Sequence, residues 1–388
     1  MKINSVRAAA LTDPTALGRT SQQAAVWHDD IDHMNPLADD ERYRGQARRF
    51  EPPWGEAICV VTADDGTFGV GMTSLAGLTA PLINDFLAPM IVGDDAAEVE
   101  RLWEMMTSAC AAHLGTSGGV SHAISAVDLA LWDLRGKTEG QPVYELLGGG
   151  PGQPIPCYAT GLDVEGYVEL GFRAFKLACP WGPDPVEAIG RTIELVGSVR
   201  ERIGAEADLM LDCWAVNEVA HAVAIAEAME PFNLGWIEDC IVPEDWPGYA
   251  EVRALTPGTM LAAGERWYTD RPFEQAILEG WVDIVQPDPL WVGGATPTRK
   301  IAELADRYGV ALSVHCGAND SFGQHLAYGL ANNTWAEMYI GSARGASLMD
   351  SYRATPGMSL PVNGEIVPSD APGFGIELTL SDIERACS

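Results

Sequence analysis

Between residues 155 and 340, eight short apolar runs are separated by stretches with the 3.6-residue period of amphipathic helices. The runs are "IPCYATG", "AFKLAC", "ADLMLDCW", "LGWIEDC", "TMLAAGE", "VDIVQPD", "VALSVHC" and "TWAEMYI". Intervening segments such as "NEVAHAVAIAEAME" and "ATPTRKIAELADRYG" place their apolar residues on one helical face. The repeating unit is therefore strand then helix. Parallel strands need such crossovers, and eight units close on themselves as a barrel.

Toward the ends of seven of these runs stand Lys176, Asp212, Glu238, Glu265, Asp288, His315 and Glu337 in turn. From Asp212 onward they are 26, 27, 23, 27 and 22 residues apart, about one strand-helix unit each. The carboxyl ends of all strands in a parallel barrel lie on one face, so residues far apart in sequence are expected to converge there.

Asp212, Glu238 and Glu265 sit on consecutive strands. A single acid at such a place is accounted for equally by a helix cap or an arginine partner; three in a row strain that account. Like charges brought together in a partly buried site force protonation or repulsion unless a cation offsets them. Oxygen ligands with no Cys or His among them favour Mg²⁺, with Mn²⁺ as a substitute, and disfavour Zn²⁺. Asp288 precedes His315 by one unit, which suits a carboxylate that fixes the imidazole tautomer and raises its basicity. Glu337 is read either as a group that orients a substrate oxygen or as a loop-pairing glutamate.

The opening of the chain reads differently. "AICVVTADDGTFGVG" holds two alternating apolar runs around Asp65-Gly66, a hairpin signal. "SHAISAVDLALWDLRGK" places Ile124, Val127, Leu131 and Leu134 at helical spacing, as a hinge toward the regular part. The tail, "PGMSLPVNGEIVPSDAPGFGIEL", is rich in Pro and Gly and is expected to return to the first domain. With 388 residues and 47% hydrophobic content, the chain has material for a large core.

A net charge of −31 argues against nucleic acid and anionic membranes as partners. Lysine is confined to Lys2, Lys137, Lys176 and Lys300. The eight cysteines form no C-x-x-C pair and are expected to be free thiols. Neither a membrane span nor a signal peptide is indicated, so a cytoplasmic location is expected.

These residues, with "DLALWDLRGK", "LMLDCW", "WIEDC", "QPD" followed by Gly293-Gly294, and the closing tail, resemble the enolase superfamily. The likeness is greatest to the acid-sugar dehydratases of its mandelate racemase-like branch, of the L-rhamnonate dehydratase type. It implies an α/β fold: a modified TIM barrel, (β/α)7β, with an N-terminal α+β capping domain completed by the C-terminal tail. The corresponding domains are residues 1–125, 126–355 and 356–388. It further implies that Asp212, Glu238 and Glu265 bind Mg²⁺, that His315 with Asp288 is the general base, and that Glu337 and Lys176 assist. The branch's lysine pair is broken here, since Ala178 stands two residues after Lys176. His33 and Arg48 match the family's substrate contacts from the opening domain, with Arg49 an alternative to Arg48. Arg266 stands where the L-rhamnonate dehydratases carry a histidine.

The chemistry so implied removes the C2 proton of an aldonate or aldarate and eliminates the C3 hydroxyl, giving a 2-keto-3-deoxy acid. Mg²⁺ offsets the developing negative charge, and the only partners implied are the small sugar acid and further copies of the chain. The alternatives are a racemase or epimerase of a similar carboxylate, and a metal-dependent sugar-acid binding protein without turnover.

Overall fold

The computed structural model describes residues 1–17, 42, 53–150, 152–180, 184–214, 218–340 and 355–388. The opening forms a three-stranded antiparallel sheet, β1 (Ile3–Ala10), β2 (Glu56–Ala63) and β3 (Phe68–Ser74), in that order. The hairpin expected at Asp65-Gly66 joins β2 to β3. Ala63 N–H donates to the Thr67 carbonyl at 2.8 Å, and Gly66 takes φ +90°.

The helix Gly119–Glu139 lies across this sheet and is buried along almost its whole length. It approaches β3 backbone to backbone. A Cβ on Gly69 would stand 2.0 Å from the Ala130 carbonyl oxygen, and one on Gly71 equally close to that of Ala126. Two glycines at alternate positions keep the inner face of β3 bare, so the Ala-rich helix can settle on it. The helix is continuous through residue 125 and runs across the boundary expected between cap and barrel.

Its buried acids tie the parts of the chain together. Asp133 accepts from the backbone N–H of Val70 at 2.8 Å and of Phe374 at 2.9 Å, and from Lys137 Nζ at 2.7 Å. Asp128 accepts from Thr296 N–H at 2.9 Å and from its hydroxyl at 2.6 Å. Hydrogen bonds to a charged group contribute about 1.5–3 kcal/mol each. One helix thereby joins cap, barrel and tail.

Among the described residues the barrel has eight parallel strands: β4 (Ile155–Thr160), β5 (Ala174–Ala178), β6 (Asp208–Asp212), β7 (Ile237–Glu238), β8 (Leu261–Ala263), β9 (Ile284–Val285), β10 (Ala311–Leu312) and β11 (Ala336–Tyr339). Each neighbours the next in sequence as far as β10, and β11 pairs with β4. A bridge between Leu312 and Asn333 closes the ring. Helices follow the first seven strands, the (β/α)7β arrangement. The tail runs back along both parts of the chain: β12 (Glu365–Ile366) pairs antiparallel with β4 of the barrel, and the helix Leu380–Ala386 ends against Thr12, whose N–H donates to the Ala386 carbonyl. All eight cysteines are free.

Tyr158, Ala174, Met210, Trp236, Ala262 and Ile284, with Ala311 and Trp335, form a separate apolar cluster inside the barrel. Side chains two residues apart on a strand share a face. Two residues beyond this ring lie Thr160, Lys176, Asp212, Glu238, Gly264, Gln286, Ser313 and Glu337, all buried polar groups but for the glycine. The barrel is floored by an apolar layer and lined above it by a polar one.

Candidate active site

Lys176 stands at the centre of the polar layer and is 1% exposed. Its Nζ lies 2.5 Å from Glu238 Oε1, 2.8 Å from Glu337 Oε1 and 3.9 Å from Asp212 Oδ2. Burial opposes its charge, but Glu238 and Glu337 raise its pKa well above that of an ordinary lysine. It is a fixed cation. Glu238 also accepts from Trp236 Nε1 at 2.9 Å and Gln286 Nε2 at 2.7 Å, while Glu337 accepts from the Thr160 hydroxyl at 2.5 Å and the Cys316 N–H at 2.9 Å.

Glu265 departs from the two-residue parity. Gly264 takes φ +136°, and a Cβ there would stand 2.6 Å from the Phe273 ring. The strand bends at this glycine and aims Glu265 into the mouth of the barrel instead of outward. There its Oε2 lies 2.8 Å from His315 Nε2, and Arg266 pairs with both Glu265 and Asp239. Burial raises the Glu265 pKa, but Arg266 and His315 outweigh it and hold the carboxyl below its usual range. Asp212 shows the opposite balance: burial, then the Glu238 charge, pushes it well above the ordinary carboxylate range. Asp239 is raised to about 7 for similar reasons, burial first and Glu265 next.

His315 Nδ1 lies 2.7 Å from Asp288 Oδ2, and Asp288 Oδ1 accepts from the Leu290 N–H at 2.7 Å. That arrangement puts the proton of a neutral imidazole on Nδ1 and turns Nε2 to the cavity. Burial disfavours a charged His315, yet the Cys316 thiol, Glu265 and the Asp288 hydrogen bond together raise its pKa well above that of a free imidazole.

The structure brings Lys176, Asp212, Glu238, Glu265, Arg266, Asp288, His315 and Glu337 to one face of the barrel. His33, Arg48 and Arg49 lie outside the described residues. Sequence reasoning passed over Thr160 and Gln286, which are uncharged but occupy the same parity as Lys176 and Glu238; counting two residues on from the apolar ring would have found both. It also passed over Trp291 and gave His122 no role. Trp291 is tilted against His315, with ring centroids 5.2 Å apart, and its Nε1 donates to the Ser74 hydroxyl at 3.2 Å. His122 stacks on Trp291 with ring centroids 5.8 Å apart and, through burial, is held at a pKa of about 4.

Six buried carboxyl groups (Asp212, Glu238, Asp239, Glu265, Asp288 and Glu337) thus face Lys176, Arg266 and His315. The excess of negative charge, and the raised pKa of Asp212, suit a divalent cation with oxygen ligands. Asp212, Glu238 and Glu265 fit that ion by chemistry and by their succession at the ends of β6 and β7 and in the turn just after β8.

Residues 161–383 match the family described as Enolase C-terminal domain-like, and residues 56–148 match the Mandelate racemase / muconate lactonizing enzyme, N-terminal domain. The chain is 34% identical over 385 residues to an L-rhamnonate dehydratase of Saccharopolyspora erythraea, covering 97% of each. The structure is similar to the crystal structure of rhamnonate dehydratase from Gibberella zeae complexed with Mg, with a TM-score of 0.87 and 25% identity over 99% of this chain and 95% of that one. It is also similar to the 3,6-anhydro-D-galactonate cycloisomerase of Zobellia galactanivorans, with a TM-score of 0.73 and 30% identity over 86% and 94%. Two family matches that together span cap and barrel, and a relative aligned nearly end to end, place this chain in the enolase superfamily, within its mandelate racemase and muconate lactonizing enzyme family.

Proposed function

We propose that the protein is a Mg²⁺-dependent sugar-acid dehydratase, a hydro-lyase that converts an aldonate or aldarate into a 2-keto-3-deoxy acid. The observation that carries this reading is the placement of His315: Asp288 holds one ring nitrogen, and the other abuts the Glu265 carboxylate. Asp212, Glu238 and Glu265 would hold the metal. When bound, Mg²⁺ supplies positive charge against the substrate carboxylate as negative charge develops there.

With Glu265 turned to the metal, the charge that favours a protonated His315 is drawn away from Nε2; the neutral imidazole then takes the C2 proton there, and Asp288 stabilises the imidazolium that forms. The same imidazolium then protonates the C3 hydroxyl, which leaves as water, and the enol product tautomerises to the 2-keto acid. Lys176, clamped by Glu238 and Glu337, serves as a stationary positive charge beside the substrate carboxylate. Arg266, with His33 and Arg48 from the cap, is assigned to the substrate's hydroxyls or second carboxylate. An arginine is a permanent donor, which suits selection of a hydroxyl configuration or a more anionic acid.

The relatives named for L-rhamnonate make that acid the leading candidate. A racemase or epimerase needs a second base. The other basic group at hand is Lys176, and its two carboxylate partners keep it protonated. Among the described residues no helix is long and apolar enough to cross a membrane. A cytoplasmic catabolic enzyme, self-associated as a homo-oligomer, completes the reading.

Incubation with Mg²⁺ and a panel of mono- and di-acid sugars, followed by detection of 2-keto acids, tests it. Product from at least one acid, lost in His315→Asn together with exchange of the C2 hydrogen for solvent deuterium, is expected. Mg²⁺ binding with no product from any acid would overturn the dehydratase.

A further inference from the structure

We propose that His315, Cys316 and Glu337 form a second cation site, selective for a borderline divalent ion of the Zn²⁺ class, whose occupation withdraws the catalytic imidazole. The inference rests on His315 being the base, but the site itself is argued from geometry alone. One nitrogen, one sulfur and one oxygen of these residues lie within 4.8 Å of one another. Cys316 Sγ is 3.5 Å from His315 Nε2, and Glu337 Oε2 is 3.9 Å from the same nitrogen.

His315 and Cys316 lie in the turn that follows β10, where Cys316 takes φ +49°, in the left-handed region, and its side chain stands beside the imidazole. The surroundings are those of a zinc ligand set. A metal-bound histidine commonly donates its other nitrogen to a carboxylate, as His315 Nδ1 does to Asp288. Glu337 is oriented by Lys176, Thr160 and the Cys316 N–H, with lone-pair capacity left on Oε2.

Mixed N, S and O ligands at tetrahedral spacing select Zn²⁺, whereas Mg²⁺ requires an octahedron of oxygens and has no use for a thiol. The two ions are therefore sorted by ligand softness between neighbouring sites. Binding releases the Cys316 proton to solvent, and the thiolate and Glu337 carboxylate then balance the charge of the cation. Nε2, once ligated, has no lone pair with which to accept the C2 proton.

Co²⁺, added to the full chain already saturated with Mg²⁺, is the probe. A thiolate-to-cobalt charge-transfer band is expected, bleached by Zn²⁺ and absent in Cys316→Ser, with zinc affinity at least about 100-fold weaker in that variant. An anomalous zinc peak in crystals of the Mg²⁺-saturated protein should lie between Sγ, Nε2 and Oε2. No band in the wild type, a band unchanged in Cys316→Ser, or a zinc peak only among Asp212, Glu238 and Glu265 would overturn the proposal. These readouts need no substrate, so they stand apart from failure of the dehydratase reading. If turnover is found, zinc at fixed Mg²⁺ should inhibit wild type at least tenfold more strongly than Cys316→Ser, each measured against its own zinc-free rate; equal inhibition would count against the site.

Discussion

Trp291 packs its indole against the His315 imidazole, and the same indole is tethered to Ser74 at the end of β3. The preceding residue is held as well: the Leu290 carbonyl accepts from the Thr73 hydroxyl at 2.7 Å, and its N–H donates to Asp288. The cap thus braces both His315 and Asp288 through one short loop. Trp291→Ala should lower turnover about 100-fold, the scale of a misplaced catalytic group, while leaving Mg²⁺ affinity unchanged. Equal loss of metal binding, read by calorimetry, would point to general collapse of the site.

Lys176 is the central counter-charge of the barrel. Lys176→Met leaves Glu238 and Glu337 buried without their cation, and breaking such a pair costs about 3–5 kcal/mol. Denaturant unfolding in the presence of a chelator should show that loss. Added Mg²⁺ should restore part of it by neutralising Glu238; a midpoint indifferent to Lys176 and to Mg²⁺ would contradict this account.

Glu238 is held by Lys176, Trp236 and Gln286, which orients it strongly. Glu238→Gln should weaken Mg²⁺ by about 100-fold or more, since even loss of a ligand's supporting partner costs up to that much. The circular dichroism spectrum should stay that of the wild type. Unaltered metal affinity and turnover would remove Glu238 from the ligand set.

Gly71 faces the Ala126 carbonyl with no room for a methyl group. Gly71→Ala must push the helix Gly119–Glu139 away from β3, and overpacking of this kind costs about 1–3 kcal/mol. A lower melting temperature is expected, and an unchanged one would mean that the helix slides at no cost.

His325 is buried beside Tyr144 and Phe374, and burial lowers its pKa to about 3 from an ordinary 6.5. The neutral form is the one that fits the fold. Its contribution is whole above pH 6.5 and is lost as the pH falls toward 3, because the unfolded chain takes up a proton that the folded one refuses. His325→Gln lacks this slope. Its stability relative to wild type should therefore improve by about 1.4 kcal/mol for each pH unit below 6.5. Parallel stability curves down to pH 4 would show that His325 is protonated in the folded state.

The sequence alone was enough for what depends on local period. Eight apolar runs at one unit's spacing point to the barrel, since strands so connected pair in parallel and eight units are the number that closes. The end of each run determines that Lys176, Asp212, Glu238, Asp288, His315 and Glu337 meet on one face. Asp65-Gly66 determines the hairpin by turn chemistry.

What the tertiary structure decided is set by approach between distant segments. Nothing local says that Gly69 and Gly71 are bare because a helix 55 to 65 residues away lies on them. Asp128 and Asp133 read as ordinary polar positions of a helix until Thr296, Val70 and Phe374 arrive to occupy them. Glu265 reaches the cavity against strand parity because φ is positive at Gly264, and Cys316 stands beside His315 in a turn where its own φ is positive, a choice made by the packing around each turn. Period is a property of neighbouring residues and survives in the linear chain; contact between segments, and the backbone angles that contact selects, exist only once the barrel and cap have closed on each other.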